Sequence, residues 1–62
     1  MKNTNIVYEV TAKTHLENEK IKVLGRDTAE QYAATYYECD EVYAVEIVNA
    51  FTGEIIFYKI KD

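Results

Sequence analysis

The stretch Val42-Tyr43-Ala44-Val45-Glu46-Ile47-Val48-Asn49-Ala50-Phe51-Thr52-Gly53-Glu54-Ile55-Ile56-Phe57-Tyr58-Lys59-Ile60 decides the fold. Two apolar, β-branched and aromatic runs flank a short polar segment, which is the pattern of a β-hairpin. Asn49 can accept local backbone hydrogen bonds, and Gly53 supplies the positive φ that such a loop needs. A four-residue loop, Ala50 to Gly53, pairs Asn49 with Glu54. Carried outward, that register sets Ile47 opposite Ile56, Val45 opposite Tyr58 and Tyr43 opposite Ile60. This face is expected to meet a helix. The other face then carries Val42, Ala44, Glu46 and Val48 beside Ile55, Phe57, Lys59 and Lys61, with Glu46 and Lys59 as diagonal neighbours. A slip of one residue exchanges the two faces.

Upstream of the hairpin lies a helix signal. Asp27 and Glu30 have the spacing of a capping box, with Asp27 as the cap. Ala29, Tyr32, Ala33, Tyr36 and Tyr37 recur at helical spacing and form one stripe. The helix is expected to end between Glu38 and Asp40, where carboxylates meet the unfavourable end of the helix dipole.

Further upstream, Ile6 to Lys13 alternates with a period of two, placing Ile6, Tyr8, Val10 and Ala12 on one face. Thr14 to Glu19 reads as a polar loop. Lys20 to Leu24 reads as a short strand with Ile21 and Val23 inward, Lys20 and Lys22 outward, and Gly25 at its end. Lysines on a short strand protect a sheet edge. The prediction is an α+β fold, ββαββ, with a four-stranded, antiparallel-rich sheet and one helix on one face. Residues 1–62 form a single small domain. Strand order stays open between 2-1-4-3 and orders with the first strand central.

Composition narrows the function. The chain has one cysteine, Cys39, and one histidine, His15. Neither an internal disulfide nor a His/Cys metal cluster can be built from them, and no metal or cofactor is expected. A core this small is marginal alone, which makes a homodimer a standing expectation. The net charge of −4 disfavours a long nucleic-acid strand, whose binding needs clustered Lys and Arg. The chain has no apolar run long enough to span a membrane. Met1-Lys2-Asn3-Thr4-Asn5 runs into a strand-like segment without an apolar signal region. An unpaired Cys39 fits a reducing compartment, and the expected location is cytoplasmic.

No nucleotide-binding glycine loop or paired-histidine motif is present. His15 lies in a polar loop and Cys39 at the helix end, so no nucleophile–base pair is expected and the chain is not read as an enzyme. The carboxylates Glu17, Glu19, Glu38, Asp40 and Glu41 read as a solvated surface.

Two groups are candidate binding sites. One helix covers one face of a four-stranded sheet, so Val48, Ile55 and Phe57, with Phe51 at the turn, are left as a partner- or dimer-binding surface. A few apolar residues shown to water are also ordinary for a small sheet. The second group is Lys22, Arg26, Tyr36 and Tyr37, a candidate site for a nucleotide-like ligand near a helix start.

The capped Ala/Tyr helix followed by the hairpin Val42 to Ile56 resembles the small ββαββ accessory proteins of bacterial viruses and mobile elements. The resemblance is architectural and covers most of the chain. It implies a bacterial cytoplasm and a protein that binds and blocks a host component, defence proteins among them. It carries over no site residues. Three readings follow. The first is a phage-type inhibitor or adaptor that binds a host protein. The second is a dimeric sponge for a nucleotide-like small molecule. The third is a structural module with no ligand.

Overall fold

The structure is a computed structural model that describes residues 6–61. The reading of Met1 to Asn5 lies outside the described residues. Four strands and one helix follow in the order β1 (Val7–Thr14), β2 (Glu19–Leu24), α1 (Arg26–Tyr37), β3 (Val42–Asn49) and β4 (Ile55–Ile60). The strands form one sheet in the order β2-β1-β3-β4, and every pairing is antiparallel. The expected ββαββ fold is therefore present, with β1 and β3 central.

Alternation builds the core. Tyr8, Val10 and Ala12 of β1 pair with Val23, Ile21 and Glu19 on one side and with Asn49, Ile47 and Val45 on the other. Tyr8, Val10, Ala12, Val23, Val45 and Ile47 are buried, and Ala29 and Ala33 of α1 are buried with them. Alanine at both helix positions removes side-chain bulk and lets α1 lie close on β1 and β3. Burial of Val10, Val45 and Ile47 stabilises the fold by about 1.5–3 kcal/mol each. Tyr36 and Tyr37 are half-buried against this core, whereas Tyr32 departs from the expected stripe and is exposed.

The capping box is corrected. The helix begins two residues earlier than predicted, its N-cap is Gly25 and not Asp27, and no side chain caps it. Gly25 is buried at φ 92°, ψ 144°, a conformation open in practice to glycine alone. Its N–H donates to the Ile6 carbonyl at 2.9 Å, which ties the β2–α1 corner to the start of β1. Asp27 is left in the first turn. Glu30 is engaged by the Arg26 Nε at 3.0 Å instead.

The hairpin register is also corrected, and its failure is local. At the turn the prediction holds: the Asn49 N–H donates to the Glu54 carbonyl at 2.8 Å, and the Asn49 Oδ1 accepts from the N–H groups of Phe51 and Thr52 at 2.8 and 3.1 Å. Gly53 has φ 81°, as the loop demands. Val48 then pairs with Ile55, but Ile47 pairs with Phe57. Ile56 is the extra residue of a β-bulge, so every pair beyond it is moved by one. Val45 meets Lys59, Glu46 meets Tyr58 and Ala44 meets Ile60. Phe57 and Lys59 thus lie on the helix side, and Tyr58 and Ile60 on the open face. The expected diagonal pair of Glu46 and Lys59 is lost, because the two side chains lie on opposite faces.

Candidate binding surface at the β4 margin

The helix packs on β1 and β3 and more lightly on β2; among the described residues it makes no comparable packing on β4. A groove of about 370 Å³ remains between α1 and β4. Its floor is Val45, Ile47 and Phe57, and its helical wall is Ala33, Ala34 and Tyr37. Glu30 and Glu38 stand on the helix rim and Lys59 on the strand rim.

This margin is organised by aromatic and cationic contacts. The Lys59 and Lys61 ammonium groups lie 4.7 and 5.1 Å from the centroid of the Tyr37 ring. Lys61 also donates from Nζ to the Cys39 carbonyl at 2.9 Å, supplying a cation where the helix ends. On the open face the Lys13 ammonium lies 5.3 Å from the Tyr58 ring centroid.

Of the partner-binding candidates, Val48 and Ile55 are direct neighbours on the open face. Phe57 is across the sheet from them, yet it remains 39% exposed because α1 stops short of it. Phe51 is 94% exposed at the hairpin tip, where it lines a shallow depression with Ile6, Val7, Asn49 and Ala50. The four candidates thus surround one end of the β3–β4 hairpin instead of sharing a face. Tyr58 and Ile60, assigned to the helix side by the bulge-free register, are about half exposed on the open face and extend this margin.

The second group is not brought together. Lys22 lies across from Glu9 on the open face. Tyr36 and Tyr37 pack on the opposite side of the sheet. Arg26 is ten residues from Tyr36, about 15 Å along the helix, and is paired with Glu30. His15 stacks on Tyr43 with ring centroids 5.0 Å apart, and the Cys39 Sγ donates to the Thr35 carbonyl at 3.7 Å. Among the described residues no three His, Cys, Asp or Glu side chains are grouped to hold a metal ion, and no helix is long and apolar enough to cross a membrane.

No protein-family model, curated protein or solved structure matches the chain.

Proposed function

We propose that this chain is a non-enzymatic binding protein that occupies a partner protein, as an inhibitor or adaptor, through the β4 margin. The observation that carries the reading is the contrast in covering. Five of the six β4 residues are exposed and Ile56 is half-buried, although the strand has only one charge, Lys59. An apolar surface of this kind, flanked by an apolar groove with charged rims, suits a protein contact better than it suits water.

The test compares two surfaces of the same fold. A tagged chain is used to capture proteins from a bacterial lysate, beside the variants Phe57→Asp and Lys22→Glu. A partner retained by Lys22→Glu and lost by Phe57→Asp is the expected result. A partner lost only by Lys22→Glu would move the contact to the β2 side and defeat the reading.

A further inference from the structure

The β4 margin has a free backbone edge, and its hydrogen-bond parity is determined by the hairpin. The Lys61 N–H donates to the Tyr43 carbonyl at 2.8 Å. Hydrogen-bonded pairs in an antiparallel ladder recur at every second residue. The pairs Val45–Lys59 and Ile47–Phe57 follow in the same set. Phe57 and Lys59 therefore turn their backbone groups toward β3. Tyr58 and Ile60 turn theirs outward, where no fifth strand lies among the described residues.

Beyond the bulge at Ile56 and the single Lys59, little on this edge resists another strand. Ile55 to Ile60 contains no proline and no acidic residue, and its one charge points to the helix side. Such edges pair with other strands unless charge, proline or a covering element prevents it.

We propose that the strand meeting this edge is β4 of a second copy, antiparallel about a twofold axis at Tyr58, so that two chains form one eight-stranded sheet. The inference rests on the reading of the β4 margin as a contact surface and names its occupant. The parity selects the register. Outward residues must face outward residues, so a twofold axis can fall at Phe57, Tyr58 or Lys59 and not between them. An axis at Lys59 would set two ammonium groups against each other. An axis at Phe57 would place Glu54 across from Ile60 and leave Lys61 beyond the paired stretch. The axis at Tyr58 centres the seam on the regular stretch Phe57 to Ile60, beyond the bulge. Tyr58 then meets its own copy on the open face, and Ile60 meets the partner's bulged Ile56, which packs against that copy's core. Lys59 meets the partner's Phe57 on the helix side, which sets a cation beside an aromatic ring. No like charges are opposed in this register.

The dimer also completes a site that one chain only half encloses. The two α1–β4 grooves become a single trough between the two helices, floored by Val45, Ile47 and Phe57 of both copies. A marginal core gains from this association, because each copy covers the other's exposed edge.

Sedimentation equilibrium of the wild-type chain and of Tyr58→Pro tests the proposal. The Tyr58 N–H is not used by β3, so proline there leaves the hairpin ladder whole and removes only the outward donor. The expected result is twice the 7.2 kDa chain mass for the wild type and the single-chain mass for Tyr58→Pro, with the same far-ultraviolet circular dichroism. Tyr58→Val, which keeps the N–H, should remain dimeric. Amide hydrogen exchange of the wild type gives a measurement independent of any variant. The Tyr58 and Ile60 amides should be protected, and that protection should fall on dilution. A wild-type chain of single mass whose Tyr58 and Ile60 amides exchange freely would overturn the dimer while leaving the β4 contact with a different protein intact. A dimer that survives Tyr58→Pro, or that leaves those two amides unprotected, would overturn the β4 edge as its seam.

Discussion

β2 and β4 are both six-residue edge strands of one sheet, and each pairs with a single central strand. They are finished in opposite ways. β2 sends Val23 and Ile21 under the helix and shows Lys20 and Lys22 on its open face. Gly25 clamps its end to the start of β1. Among the described residues no helix packs on β4, and its open face shows Ile55, Tyr58 and Ile60. The difference teaches where a small domain spends its single helix. One helix is narrower than four strands, so one margin is left to solvent or to a partner. Here the covered margin shows two lysines and Leu24 outward, and the uncovered margin shows only apolar and aromatic residues.

The contrast can be broken at its strongest point by truncating one side chain on each margin. Val23→Ala should cost about 2 kcal/mol, because it opens a cavity under α1. Phe57→Ala removes a larger side chain and should cost about 1 kcal/mol or less in denaturant melts at low protein concentration, since the ring is not enclosed within one chain. A larger loss for Phe57 than for Val23 would mean that β4 is held as firmly as β2. A smaller effect is expected at the turn that delivers β4. Asn49→Ala removes the acceptor for the Phe51 and Thr52 N–H groups and should cost about 1 kcal/mol. Hydrogen exchange should then quicken in β4 and leave the β1–β2 amides unchanged. The smallest effect on stability, within about 0.5 kcal/mol, is expected for Lys22→Ile at the exposed β2 surface. That variant should nevertheless gain mass in sedimentation by pairing through β2. An unchanged mass would show that the lysines are not what keeps β2 single.

Most of the fold was legible because alternation and helical spacing are local signals. Tyr8, Val10 and Ala12 stand out against Glu9, Thr11 and Lys13, and Ala29 and Ala33 are spaced to meet them. The faces of β4 were not legible, and the cause is specific. Ile55-Ile56-Phe57-Tyr58 is apolar without alternation, so periodicity carries no information about which side chains point inward. The turn was the only guide, and it was sound as far as Asn49 and Glu54. A bulge one pair further on leaves no mark in such a run. The capping box failed for a different reason: Asp27-x-x-Glu30 is a pattern of side chains, while the corner is set by a backbone conformation that only Gly25 adopts readily. For the candidate surface, Val48, Ile55, Phe51 and Phe57 were all recognisable as apolar residues in excess of what one helix covers. Tyr58 and Ile60 were missed with the register, and the separation of Lys22 from Tyr36 and Tyr37 became visible only once the sheet stood between them.

The bulge at Ile56 also has a meaning for how such a strand can change over generations. Deletion of that one codon would leave Val48 paired with Ile55 and Ile47 paired with Phe57, so every other partnership in the hairpin would survive. One codon gained or lost between Phe57 and Ile60, without a second bulge, would instead turn over the residues beyond it and exchange what the two faces display. Ile56 is thus a place where the reading frame of the sheet tolerates an edit, set inside a strand where the next edit would rewrite its surface.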